Sequence, residues 1–187
     1  LIAYDGSKGS DSALDDLVRA GLPRAGEAVV VSVADVWLPP TNGSRSPEDR
    51  PDPPLDSATE QWIKKQWDRG KAKLAEAETL ADHARKRVQM ALPGWDVQVA
   101  ASYGSPAWEI IEKADEFDVD LIVVGSQGRS AIGRFVLGSI SQKVLTEARC
   151  SVRIGRGKIE VDETPVRLLV GFDGSQGSIA ALKAVAA

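Results

Sequence analysis

The chain has 187 residues, 43% hydrophobic and 27% charged, which excludes a disordered or fibrous polymer and allows one sizeable core rather than two complete ones. Twenty-three basic residues against 27 acidic ones leave a net charge of -4, so no nucleic-acid partner is expected, since such surfaces lean on Lys and Arg. One cysteine, Cys150, excludes an internal disulfide framework and fits a reducing, cytoplasmic setting, and no apolar run approaches the roughly 18 residues of a membrane span, so no membrane partner is expected either.

The first strand reads Leu1 to Asp5, broken by Gly6, Ser7 and Gly9. A helix follows, with Ser10 or Asp11 near its cap and Ala13, Leu14, Leu17 and Val18 inward, stopped by Gly21. Residues 28–37, AVVVSVADVW, form a near-continuous apolar run that suits a parallel strand covered on both faces. Residues 39–57 carry six prolines with Asn42, Gly43 and several acids, and read as an exposed loop insertion over the carboxyl end of that strand. A long helix is expected from about Ser57 to Leu92. Its apolar positions, among them Ile63, Trp67, Leu74, Ala77, Ala81, Ala84 and Val88, recur at steps of three and four, and Pro93-Gly94 ends it.

Residues 95–102 alternate as a strand. Pro106 starts a helix with Ala107, Ile110, Ile111 and Ala114 inward. Asp120 to Val124 reads as a buried strand, a helix runs from Gly138-Ser139 to about Ala148, and the last strand is Ser151 to Ile154. Strand and helix in alternation predict a layered α/β domain with a mostly parallel sheet and right-handed crossovers.

The end of the chain repeats its beginning. LIAYDGSKGSDSAL at 1–14 matches LVGFDGSQGSIAAL at 169–182, keeping a strand end, a tight turn and a first helix face. A domain over 1–156, a linker at 157–165, and the first strand and helix of a second, truncated copy at 166–187 are therefore expected. On this reading the strand at Leu1 lacks its leading residues, and the chain is a piece of a tandem-domain protein.

Function concentrates in GSQGRSAIGRFVLGS, residues 125–139. Gly125 and Gly128 follow a buried strand, and Gly138 and Ser139 open the next helix. A glycine loop brings backbone N–H groups close to an anion, a helix start adds unpaired N–H groups and the positive dipole end, and the Ser139 hydroxyl can donate to a phosphate oxygen. Arg129 or Arg134 would add charge. The plain alternative is a glycine-rich connection without a ligand. The pattern is neither a P-loop, which needs a lysine after the last glycine, nor a Rossmann fingerprint. Asp5 ends the first strand, where open α/β sheets place ligand groups. Its carboxylate either accepts from a nucleoside amine or hydroxyl, or closes an Asx turn over Gly6-Ser7, or does both.

The opening Asp5-Gly6-Ser7, the DLIVVGSQG strand and turn, the spacing of Gly125, Gly128, Gly138 and Ser139, and the ending ARCSVRIGR resemble the universal stress protein family. The likeness covers residues 1–156 apart from the insertion, and resumes at 166. It implies a three-layer α/β/α sandwich of the adenine nucleotide alpha hydrolase-like kind, its five-stranded parallel sheet ordered 3-2-1-4-5. It implies a dimer, or a tandem pair, joined along the last strands. In the family's ATP-binding branch the residue matching Asp5 contacts the nucleoside. There the backbone near Val33 contacts adenine, and residues matching Gly125, Gly128, Arg129, Gly138 and Ser139 surround the ribose and phosphates. The retained glycines and serine favour that branch, with ATP and Mg2+ as the ligand. Asp35, just past the adenine strand, departs from what a nearby phosphate would favour, and the insertion is longer than the family needs.

His83 is the sole histidine and reads as a solvated helix position; a lone histidine makes no metal cluster. Cys150 reads as a packed thiol. Trp37, Trp62 and Trp67 pack the insertion down or form a surface for an unidentified protein partner. The basic run from Lys64 to Lys73, with Arg85 to Arg87, is interleaved with acids and reads as a solvated face. No Ser/His/Asp set is present and no catalytic residue is assigned. Asp5 and Ser139 offer oxygens to Mg2+, but no second carboxylate is placed beside them. A nucleotide-dependent regulatory module comes first. Slow ATP hydrolysis or phosphoryl transfer, and a purely structural or protein-binding role, are the alternatives.

Overall fold

The short apolar runs become five parallel strands: β1 (Ile2–Ala3), β2 (Gly26–Ala34), β3 (Trp95–Tyr103), β4 (Leu121–Gly125) and β5 (Ser151–Gly155). Their order is β3-β2-β1-β4-β5, as the family resemblance implies. This computed structural model describes residues 1–36, 56–128, 137–157 and 168–186. Trp37, residues 39–55 of the insertion, Arg129, Arg134 and residues 158–167 lie outside the described residues. The helices are α1 (Lys8–Asp15), α2 (Ser57–Ala91), α3 (Pro106–Glu116), α4 (Ser139–Glu147) and α5 (Gln176–Ala186), with a 3-10 turn at Asp16–Arg19.

Alternation along the buried strands makes two cores and hence three layers. Ile2, Val30 and Val123 stand in register and pack with Leu14 and Leu17 after β1 and with Ala81, Ala84 and Val88 of α2. Val29, Val31, Ile122 and Val124 point the other way, onto Ala107, Ile110 and Ala114 of α3 and Val144 of α4. Each fully buried Val contributes on the order of 1.5–3 kcal/mol. The chain steps outward one way from β1 and the other way from β4, so the carboxyl ends of these adjacent strands open a crevice at the topological switch point.

Three local expectations change. α1 is capped by Ser7 rather than Ser10 or Asp11, and Ser10 is buried in its first turn. Val18 is 59% exposed, because the chain tightens into the 3-10 turn at Asp16, which carries Val18 off the inner stripe while Leu17 stays buried. β1 is shorter than expected. Tyr4 continues its line by donating its N–H to Val31 O at 2.9 Å, and the turn begins at Asp5.

α2 is capped by Asp56, whose Oδ1 accepts from the Thr59 N–H at 2.6 Å, and Leu92 closes it. Its 35 residues reach about 50 Å against about 30 Å for a nine-residue strand, so one end overhangs the sheet. Trp62, near its start, is exposed and Trp67 half-buried. Lys64, Lys65, Arg69, Lys71, Lys73 and His83 are exposed. Arg87 crosses to α1, pairing with Asp11 and, at 2.8 Å, with Asp15. Cys150 packs against the α3–α4 core, and burial raises its thiol pKa.

The strand expected over 166–172 does not form among its described residues, 168–172, and Leu169 is fully exposed. A strand needs a ladder partner, whereas α5 needs only local bonds and forms as expected.

Candidate functional site: a cleft at the switch point

The turn after β1 is built from its own sequence. Gly6 adopts a φ of 74°, and the Ser7 N–H donates to Asp5 Oδ1 at 3.0 Å, so the Asx turn is present. The Ser7 hydroxyl then does two things. Its oxygen accepts from the Ser10 N–H at 3.2 Å, capping α1, and it donates to the carbonyl of Gln127 at 3.2 Å, tying α1 to the loop after β4.

That tie is close. A Cβ on Gly9 would stand 2.0 Å from Gln127 O, and one on Gly125 would stand 2.4 Å from the Gly9 carbonyl carbon. Gly125 is glycine because α1 lies directly on it, a packing reason independent of any ligand. Gly128 abuts Asp5, with a Cβ there 3.1 Å from Asp5 Oδ2. The Gly138 N–H donates to Ser126 O at 2.8 Å, which brings the start of α4 back to the end of β4. Ser141 locks this by donating its hydroxyl to Gly125 O at 2.6 Å.

The result is one cleft of about 500 Å³. Asp5, Val33, Gly125, Gly128, Gly138 and Ser139 all line it; Arg129 lies outside the described residues. α4 enters the cleft wall with Gly138 at its cap, which offers no side-chain bond, and among the described residues no side chain bonds its first-turn N–H groups. Ser7 caps α1 and Asp56 caps α2, whereas α3 has no side-chain cap bond either and begins with Pro106, which has no N–H. The motif reading missed the far wall. Lys73, Glu76, Ala77 and Leu80 of α2 line the same cleft, as do Pro106 and Ile110 of α3. No local signal marks them, because the crossing of α2 over β2 brings them there. Among the described lining residues the charged groups are Asp5, Asp35, Glu76 and Lys73, and Lys73 holds Glu76 at 2.6 Å.

Residues 1–156 match the model of the universal stress protein family. The chain belongs to that family. Universal stress protein YxiE of Bacillus subtilis is 30% identical over 156 residues, covering 83% of this chain and 97% of YxiE. Universal stress protein MJ0531 of Methanocaldococcus jannaschii is 36% identical over 73 residues, 38% of this chain and 43% of MJ0531, so the match spans less than half of that relative. The solved universal stress protein from Archaeoglobus fulgidus shares the fold with a TM-score of 0.62 and 22% identity, over 97% of this chain and 59% of its own. No helix among the described residues is long and apolar enough to cross a membrane.

Proposed function

We propose that this universal stress protein is a cytoplasmic nucleotide-dependent regulatory module that binds ATP with Mg2+ in the switch-point cleft. The observation that carries the reading is the start of α4, which no side chain among the described residues caps. Its first turn, Ser139 to Ser141, lines the cleft beside Gly128 and Asp5. Unpaired N–H groups and the positive end of the helix dipole favour a phosphate there. Val31, Val33, Leu80 and Ile110 supply apolar walls for a base, and Asp5 stands between the two ends as an acceptor for the nucleoside. Mg2+ would accompany the triphosphate, with Asp5 and Ser139 offering it oxygens; among the described residues no group of three His, Cys, Asp or Glu is placed to hold a metal. Arg129 is assigned with the phosphates on the family resemblance alone.

Calorimetry with Mg-ATP on the parent and Gly138→Asp tests the assignment. Gly138 has a φ of -64° and a Cβ there meets nothing nearer than 3.5 Å, so the substitution fits the backbone, and Asp is a good cap. Binding should vanish while the unfolding temperature holds or rises. Unchanged affinity would overturn the site. Binding without phosphate release is the expected behaviour; release that depends on Asp5 would favour the ATPase alternative.

We also propose a domain over 1–156, a linker over 157–165 and the start of a second domain over 166–187. The support is geometric. Gly174 has a φ of 81°, the Ser175 N–H donates to Asp173 Oδ1 at 2.9 Å, and Ser175 Oγ accepts from the Ser178 N–H at 3.2 Å, the same three features found at Gly6, Ser7 and Ser10. The Archaeoglobus structure, longer than this chain, shares its fold over nearly all of it. Among the described strands β5 lies at an edge of the sheet, and that edge suits pairing with a second copy or a tandem partner.

A further inference from the structure

The cleft has two chemically different ends. One is the start of α4 with its N–H groups. The other is the carboxyl end of β2, where Val33 and Ala34 share the cleft with Ala77 and Leu80 of α2. Asp35 stands at the rim of that second end. The Val36 N–H folds back to Ala34 O at 2.8 Å, a tight turn centred on Asp35 that fixes its backbone. The other carboxylates of the described lining are engaged: Asp5 accepts from Ser7, and Glu76 holds Lys73. Asp35 makes no hydrogen bond or ion pair among the described residues, and it is a cleft residue. An ionised carboxylate accepts hydrogen bonds and donates none. At the apolar end of a nucleotide cleft it therefore complements a base edge that carries an N–H donor.

Resting on the nucleotide reading above, we propose that Asp35 is a specificity-determining residue. It accepts from the exocyclic amine of a 6-aminopurine and so selects bases that carry this amine. Its position away from α4 explains how an acid sits in a cleft that takes phosphate: the base separates the two charges.

The test is a cycle across the ligand amine and the side chain. Affinities for ATP and for purine riboside triphosphate, which lacks only the amine, are measured by calorimetry with Mg2+ for the parent, Asp35→Ala and Asp35→Asn. A hydrogen bond to a charged acceptor at a solvent-facing rim predicts about tenfold weaker binding of the amine-free analogue by the parent. Asp35→Ala should bind the two ligands equally. Asp35→Asn, which keeps an acceptor oxygen, should restore part of the discrimination. Loss of charge alone would shift both affinities together and leave their ratio unchanged, so the ratio isolates the hydrogen bond. Asp35 is exposed, so the variants should fold, which circular dichroism checks. An equal ATP-to-analogue ratio in parent and Asp35→Ala would overturn the selector while leaving nucleotide binding intact. Binding of neither ligand by the parent at millimolar concentration would overturn both readings.

Discussion

Gly9→Ala and Gly177→Ala make the same change at matching positions of the internal repeat, and the structure predicts different outcomes. In an unencumbered helix, Gly→Ala stabilises by up to about 1 kcal/mol. At Gly177 the new Cβ meets only Ser175 Oγ, at 3.8 Å, so α5 should gain helicity and global stability should not fall. At Gly9 the new Cβ stands 2.0 Å from Gln127 O, 3.0 Å from its carbonyl carbon and 3.1 Å from its nitrogen, all backbone atoms that no rotamer change can move. α1 or the loop after β4 must shift, which costs about 1–3 kcal/mol as overpacking. The shift also strains the Ser7 hydroxyl bond to the same Gln127 carbonyl, worth about 1 kcal/mol. Offset by the helix gain, the net destabilisation is about 2 kcal/mol, or roughly 4–8 °C in Tm for a chain of this size. Thermal unfolding followed by circular dichroism, with urea unfolding as a check, reads both variants. If Gly9→Ala unfolds at or above the parent temperature, the close approach of α1 to β4 is wrong, and the packing account of Gly125 falls with it.

Tyr4 donates its hydroxyl to Asp11 at 2.9 Å, and burial first, then this bond, raises its pKa above 10. The folded value is raised, so the contribution is complete below pH 10 and lost as pH rises through the folded pKa. The Tm advantage of the parent over Tyr4→Phe should therefore be constant from pH 7 to 9 and shrink above 10; a constant difference to pH 11 would contradict it. Light scattering of this chain beside a version ending at Lys158 tests the pairing surfaces: both should be dimers if β5 forms the interface, only the longer one if the tail holds the pair, and a monomeric full chain at high micromolar concentration would defeat self-association.

Much of this architecture was written locally. The near-continuous apolar runs of β2 and β4 announced strands covered on both faces, and the i, i+3, i+4 stripe of α2 placed Ala77, Ala81, Ala84 and Val88 inward, where they are buried. Asp-Gly-Ser makes the same turn and cap at residues 5–7, against the core, and at 173–175, in an exposed tail. A motif with one geometry in two environments is encoded by its own hydrogen bonds and one positive φ, and so is legible in sequence. What tertiary structure decided is of another kind. Gly125 looked like part of an anion loop, yet its missing side chain is required by Gly9, more than a hundred residues away in sequence. Val18 kept a helical spacing that the 3-10 turn undid. Residues 168–172 of the tail kept a strand's composition, yet pair with no strand among the described residues. Lys73, Glu76 and Leu80 reach the cleft only because α2 crosses β2 there. Local bonds depend on spacing along the chain, whereas close approach and cleft walls depend on where separate elements meet, and spacing carries no record of that.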